Sequence, residues 1–506
     1  MRDRMEKGRT ALQATRNVLL CIGGALLFLL IVYIAVYHDK DWRHLWLPIS
    51  ITDDEVMYNR QVAGILAGGM PDGYFGYNET HAAIGRFSVW GPVLMYLYAL
   101  PGTLVGVGVN TLVWCNVFFV VLGWAFFVKG TRLTWKRQLV FAAAFFCLWF
   151  PLRQTFSGMS EGLQYCCALA IIGASAALQR KKCLSWFVIA VVFCAITTLT
   201  RAYTLLFWIF PITALWKSRR SWAWTGIVLA VLSAVGYFVV SVWFSSPYFA
   251  GGGIDYTGLD LLAQGSPIEA FFYEVGRMQE EFQELWELYI HPVLQDQGRT
   301  FFSTCALLVI AAVCLVLDHR KKRPVILKAL VLLCTIVSTI MLFTLYDAGA
   351  FQRQFALLDV LLLSVLVYEN RGYTLTSLLV SFLMLPISFD RGTLPTYRAD
   401  MDEQIQIVNQ ALQKSQTEEK TTTPWDHTLA YAYADGVFHG YLYGVPAGMG
   451  IQFDFNTYIA DPANPVHSRY AMVGHGTDAE ARLLADGWQE LVSTDNLVVY
   501  EQRNEK

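Results

Sequence analysis

Three consecutive carboxylates, Asp53, Asp54 and Glu55, stand in the stretch TDDEVMY at residues 52–58, just beyond the first long apolar segment of the chain. Charge at a membrane edge is costly unless it is compensated or used. A carboxylate there can accept the proton of an attacking hydroxyl. The same residues fit a capping box, in which Thr52 and Glu55 satisfy free backbone N–H groups at a helix start, and acids in a first turn suit the helix dipole. The cap accounts for Glu55 and Asp53, so the chemical reading rests on Asp54 and its surroundings. Other polar residues mark the ends of apolar runs: Arg86, Arg153, the SGMSE turn with Ser157, Ser160 and Glu161, Arg201, and Asp347 with Arg353 in YDAGAFQRQF. An arginine fork can grip a phosphate and stabilise the charge that develops as phosphate leaves. Taken singly, each has a structural account, as a helix cap for Ser157, Ser160 and Glu161 or as a snorkelling arginine.

The elements that must position these residues are membrane helices. The 506 residues are 55% hydrophobic and 15% charged, with mean hydropathy +0.40, which departs from soluble composition toward the membrane class. The formal charge of -2 hides a segregation, because Lys and Arg gather in short loops at 129–137, 180–182, 217–220 and 320–323. The positive-inside rule places those loops in the cytoplasm. Arg2, Arg4, Lys7, Arg9 and Arg16 precede the first apolar run at 17–37, which reads as a retained anchor with a cytoplasmic amino terminus. All ten cysteines fall in apolar segments or beside basic loops, so disulfides are not expected. No nucleic-acid partner is expected either.

Taken in order, the first outer loop is 38–87. The stretch 89–107 contains Gly91-Pro92 and Pro101-Gly102, and a full crossing would put the 129–137 loop on the wrong side. It is therefore expected to be a broken, partly embedded hairpin or surface helix. Spans follow near 111–128, 139–156, 162–178, 185–199, 203–216 and 222–244. The second outer loop, 245–300, holds SPIE at 266–269, a capping box with Pro at the first helical position, and then an amphipathic helix with an acidic polar face. That helix is expected to roof the membrane domain or pack on the tail. Spans near 302–317, 325–345, 355–368 and 374–387 bring the count to about eleven and place the carboxyl terminus outside. The expected fold is thus an α-helical polytopic membrane domain at 1–387 and a small soluble exoplasmic α/β domain at 388–506. The latter carries 17 acidic and 8 basic residues. Helices are expected near 400–413 and 477–486 and strands near 428–433, 469–474 and 497–502. No catalytic motif or metal-ligand spacing stands out among its four histidines.

With this topology the polar residues gather on one side, and here the sequence resembles a known family. Asp54-Glu55 followed by Val56-Met57-Tyr58 is similar to the Asp-Glu pair that opens a helix in the first outer loop of the GT-C class of integral-membrane glycosyltransferases, which contains the protein O-mannosyltransferases and the lipid A aminoarabinose transferases. SGMSEGLQYCCALAII resembles the family's Ser-Glu-x-Leu helix start, placing Ser160 and Glu161. TTLTRAYTLLFWIFP resembles its Thr-Arg step, placing Arg201, and FQRQFALLDVLLL its late Arg-aromatic motif, placing Arg353. The matches fall in the family's order across most of the first 387 residues. WGPVLMY at 90–96 stands where relatives often have Pro-Pro-Leu, and prolines after the late Arg motif are missing around 357–361, so subfamily and acceptor stay open.

The resemblance implies an integral plasma-membrane enzyme that moves a sugar from a polyprenyl-phosphate-linked donor to an exoplasmic acceptor, a glycolipid, cell-wall polymer or protein, usually with inversion. On it Asp54 is the base or acceptor-orienting carboxylate and Glu55 its neighbour. Arg201 and Arg353 are donor-phosphate candidates, Glu161 orients sugar or acceptor, and Arg86, Asp53 and Arg153 complete the set. Most relatives with this donor type need no metal for their chemistry, so no metal or cofactor is expected, while Glu79 and His81 near the triplet keep a metal open. The rival readings are a polyprenol-linked sugar flippase or transporter and a polysaccharide polymerase or ligase. A transporter should place ionisable groups near mid-membrane, whereas here charges are expected only at span ends.

Overall fold

The computed structural model describes residues 2–36, 53–69, 74–77, 91–244, 255–287, 296–345, 351–369, 371–392, 399–418, 423–433 and 439–502. The membrane part begins with α1 (Arg2–Val36), α2 (Asp53–Gly68), α3 (Gly91–Val105), α4 (Thr111–Thr131), α5 (Trp135–Cys147), α6 (Trp149–Thr155) and α7 (Glu161–Arg180). It continues with α8 (Leu184–Thr200), a 3-10 segment (Ala202–Trp208) leading into α9 (Ile209–Trp216), α10 (Arg220–Phe244), α11 (Thr257–Ala263) and α12 (Pro267–Leu285). α13 (Asp296–Arg320), α14 (Ile326–Leu345), α15 (Phe351–Glu369) and α16 (Arg371–Gly392) complete it. Among the described residues six helices are long and apolar enough to cross a membrane: α1, α4, α7, α10, α13 and α14. The count of eleven is not reached on that measure, because the other expected spans are shorter or interrupted. The expected 139–156 span, for instance, divides into α5 and α6 at Leu148, whose backbone is extended at φ -78°, ψ 126°.

α7 is the centre of the bundle, buried along nearly its whole length. It packs on α4 through a seam of small residues, which lets backbones approach closely where no hydrophobic force separates helix from lipid. A Cβ on Gly123 would lie 2.5 Å from Cys166 Cα, and one on Gly173 would lie 2.7 Å from the Phe126 carbonyl oxygen. Gly130 meets the Gly173 backbone in the same way. At the periphery, α10 keeps little of its surface buried, and Val228, Val231, Leu232 and Phe238 point outward as lipid-facing side chains do.

Three expectations need correction. Among the described residues of the 89–107 stretch no break appears, since α3 runs continuously through Pro101 and is followed by Gly106, whose φ of 84° suits a glycine C-cap. Its two ends lie toward one end of the bundle: Gly91 meets Val240 near the end of α10, and the Gly108 carbonyl accepts from Asn59 Nδ2 of α2 at 3.0 Å. At 15 residues it is short for a crossing. The Ser266 side chain makes no cap hydrogen bond. The predicted amphipathic helix, α12, packs on α14 of the membrane part through Met278 and Phe282, whose ring lies 6.4 Å from that of Phe343, with Ile268, Phe271 and Phe272 exposed, while Arg277 faces Asp255 (3.4 Å) and Glu281 (3.2 Å). Glu281 is buried and Glu274 part-buried, whereas Glu280 and Glu284 are exposed, so the acidic side of α12 is divided between the bundle and its surroundings. Finally, charge is not confined to span ends. Asp359, near the middle of α15, is fully buried and accepts from Ser303 Oγ (2.6 Å) and Thr304 Oγ1 (2.7 Å).

The carboxyl-terminal part is an α/β unit. After α17 (Ala399–Glu418) come β2 (Thr428–Tyr433), β3 (Gly450–Phe455), α18 (Asn456–Ala460), β4 (Tyr470–Gly474), α19 (Asp478–Ala485), β5 (Gln489–Ser493) and β6 (Leu497–Glu501). The sixth strand, β1 (Tyr74–Tyr77), comes from the segment between α2 and α3 and pairs in parallel with β3. The strand order is β1-β3-β2-β4-β6-β5. Side chains alternate between faces. Leu429, Tyr431, Ile451, Phe453, Met472 and Val499 meet Ile405, Val408 and Leu412 of α17, and also Val56 and Met57 of α2. Ala430, Ala471, Val473 and Val498 on the other face meet Ile459 of α18 and Ala479 and Leu483 of α19.

Candidate functional site

α2 is held from two sides. Val56 and Met57 enter the sheet core, while Tyr58, Val62 and Ile65 enter the membrane core. Arg60 fixes the arrangement, because its buried guanidinium donates to the carbonyl oxygens of Pro446 (3.0 Å) and Met449 (2.6 Å) and also to that of Val445. Hydrogen bonds from a charged donor are the stronger kind, so the acidic start of α2 is pinned between the bundle and the α/β unit.

Glu55, expected to serve chiefly as a cap, is fully buried and lies 3.6 Å from Arg153 Nη2. Against it stands the turn between α6 and α7: a Cβ on Gly158 would be 3.0 Å from Glu55 Cβ, so a larger residue there would have to push the Glu55 side chain back by a few tenths of an ångström. The turn gathers the other candidates. Arg153 Nη1 donates to the Phe156 carbonyl (3.3 Å), and the Arg353 guanidinium reaches within 3.9 Å of Met159 Sδ. Arg201 Nη2 donates to Ser160 Oγ (3.1 Å) and Glu161 Oε1 (2.9 Å). Ser160 is thus a partner of Arg201, and it makes no side-chain cap to α7. Arg201 is 2% exposed, which excludes the snorkelling account for it.

Residues that the sequence did not single out hold the turn in place. Asn116 of α4 donates through Nδ2 to the carbonyl oxygens of Ser157 (2.6 Å) and Met159 (2.7 Å), and Tyr98 of α3 donates to Asn116 Oδ1 (2.5 Å). One turn into α7, Gln164 links Thr197 (2.6 Å) and Thr200 (2.8 Å) of α8, setting the angle at which Arg201 enters. Glu161 Oε2 is buried with no hydrogen-bond partner among the described residues, a polar atom left over for something else. Tyr443 lies beside Glu55 on the side of the α/β unit. Burial first, and the Glu55 charge second, push its hydroxyl pKa well up, so it remains a neutral hydrogen-bonding group.

The structure therefore brings together Glu55, Arg153, Ser160, Glu161, Arg201 and Arg353. The side chains of Asp53 and Asp54, whose backbones open α2, lie outside the described residues, as do Arg86, Asp347, Glu79 and His81. Among the described residues no three His, Cys, Asp or Glu side chains come together as metal ligands would. Electrostatically, the described residues of the site offer three guanidinium groups and two carboxylates, set around a turn whose geometry is fixed by neighbours. Such an array can bind an anion and take a proton from a hydroxyl.

No protein-family model matches the chain, and no curated protein matches it in sequence. Among solved structures it is similar to the oligosaccharyltransferase AglB of the archaeon Archaeoglobus fulgidus in complex with an inhibitory peptide and a dolichol-phosphate. That likeness has a TM-score of 0.51 at 12% identity, covering 90% of this chain and 69% of that one. The apo oligosaccharyltransferase from A. fulgidus gives a TM-score of 0.50 at 12% identity over 90% of this chain and 69% of that one. ArnT from Cupriavidus metallidurans bound to undecaprenyl phosphate is aligned over 94% and 98% of the two chains, at 12% identity and a TM-score of 0.44. At this identity the likeness is one of fold, shared with the archaeal oligosaccharyltransferase.

Proposed function

We propose that this chain is a glycosyltransferase that moves a sugar from a polyprenyl-phosphate-linked donor to a hydroxyl-bearing acceptor at the exoplasmic face of the plasma membrane. The observation that carries the reading is the convergence of Glu55, Arg153, Glu161, Arg201 and Arg353 on the single turn at 156–160. The AglB structure, which holds a dolichol-phosphate, supports the class of carrier lipid. In the reaction the acceptor oxygen bonds to the anomeric carbon and the bond from that carbon to the phosphate oxygen breaks. The electron pair leaves on the phosphate, and the hydroxyl proton passes to a carboxylate. Asp54 is the proposed base, at the start of the helix that Arg60 pins. Glu55, held by Arg153, is its buried neighbour. Arg201 and Arg353 take the developing charge of the phosphate, with Arg153 and Arg86 as further contacts and Asp53 completing the acidic edge. Glu161, with one oxygen on Arg201, turns the other toward sugar or acceptor. Transfer by a single direct displacement inverts the anomeric centre.

A polyprenol-linked sugar flippase is the second reading, favoured by buried Asp359. That carboxylate, however, is already occupied by Ser303 and Thr304. A polymerase or ligase would use the same arginines with a longer donor. The test is Asp54→Asn: transfer from a polyprenyl-phosphate donor is expected to fall by about 10²–10⁴-fold with folding intact. Near-normal turnover would sink the assignment, and facilitated movement of donor across vesicles without transfer would favour the flippase.

A further inference from the structure

At the end of the bundle remote from the 156–160 turn, a cleft of about 830 Å³ opens between the ends of α7, α9, α13 and α14. Its walls are mainly apolar, with Trp216, Ile326 and Leu327 among them, and its cations are Arg180, Lys182, Lys217 and Arg323. They come from three separate connections yet face one space. Arg180 is anchored there, donating to Tyr368 Oη (3.1 Å) and to the Gly130 carbonyl. Among the described residues the single lining carboxylate, Asp318, is already taken by buried Lys328 (2.5 Å) and by Arg323 (3.3 Å). Lys217 has no hydrogen bond or ion pair among the described residues, and Lys182 has only the Gln179 carbonyl at 3.3 Å.

Cations radiating into water would be the ordinary marking of an inward-facing loop. Here they surround an apolar recess instead, and a basic pocket between membrane helices suits a phosphate headgroup whose chains run along the walls. A free phosphate would leave the walls around Trp216 and Ile326 wet. The geometry points to a binding site for an anionic phospholipid, its phosphodiester between Lys182, Lys217 and Arg323 and an acyl chain against Trp216 and Ile326. The leaflet is the one that the basic loops face, and the site is separate from the proposed donor site.

The test is native mass spectrometry of the purified full chain, titrated with phosphatidylglycerol and with phosphatidylcholine. The cleft variant Lys182→Gln/Lys217→Gln/Arg323→Gln is compared with a control of equal charge, Lys129→Gln/Lys136→Gln/Lys181→Gln. Phosphatidylglycerol should bind the cleft variant about tenfold or more weakly, the control should stay within about twofold of the parent, and millimolar inorganic phosphate should not displace the lipid. Equal losses in both variants, no loss in the cleft variant, equal binding of phosphatidylcholine, or displacement by inorganic phosphate would each overturn the proposal. If the triple variant fails to fold, exposed Lys217→Gln alone gives the reading, with a loss of about fivefold expected and an unchanged affinity contradicting the site.

Discussion

The two ends of α7 are about 30 Å apart, by 20 residues at about 1.5 Å each, and they treat charge in opposite ways. A carboxylate in the first turn of a helix ordinarily faces solvent, yet Glu161 is buried against Arg201, and Glu55 with Arg153 and Arg353 with Met159 surround the same turn. At the far end four cations meet one carboxylate, and that carboxylate is already shared. Balanced, enclosed charge fixes positions to a fraction of an ångström and suits chemistry. Surplus charge beside an apolar wall fixes little by itself and suits capture of a mobile anion.

Breaking the balanced end should have the largest effect. Arg201→Leu leaves Glu161 buried beside no cation from that position and should cost about 3–5 kcal/mol, read as a fall in melting temperature of the purified protein. Glu161→Gln/Arg201→Leu should recover much of that stability while remaining inactive, which separates the structural share of the pair from its chemical share. A stable Arg201→Leu would mean that the pair is not enclosed. Next comes the clamp between the two units. Arg60→Met removes the charged donor to the 445–449 carbonyls and should cost about 1.5–3 kcal/mol, with limited proteolysis cutting earlier between the bundle and the α/β unit. An unchanged cleavage pattern would show that Val56 and Met57 alone hold α2.

The smallest effect is expected at Asp255, part-exposed beside α12 and outside the balanced cluster. The hydrogen bond from Tyr273, followed by that from the Thr257 backbone, holds its carboxyl below the usual range. A depressed folded-state pKa contributes stability that is present above the unfolded value and lost as pH falls through the folded one. The stability gap between the parent and Asp255→Asn should therefore exist at neutral pH and close in acid, in a pH series of melting curves. A gap that widened in acid would reverse the assigned cause.

Much of the bundle was legible because membrane helices announce themselves as apolar runs: α7, α8, α10 and α14 lie within a few residues of the expected spans. The strands at 428–433, 470–474 and 497–501 were legible through short alternating runs. β3 was missed although GIQFDF alternates with period two, the signal that would have found it. β1 carries no such local signal, because its pairing with Ile451 and Phe453 joins segments far apart in the chain. The site was legible as a set of charges on one side, but not as pairs. Glu55 read as a cap because a capping pattern is local, whereas its contact with Arg153 joins segments far apart in the chain. Arg60 and Asn116 gave no warning, since what their N–H groups bind is backbone carbonyl, which every sequence contains.

A structure of the protein with a polyprenyl phosphate, determined by electron cryo-microscopy in lipid nanodiscs, tests the central claim most directly. The account predicts the phosphate within hydrogen-bond distance of Arg201, Arg353 or Arg153, beside the 156–160 turn. A phosphate seated in the cleft at Lys182 and Lys217, with the turn empty, would contradict it.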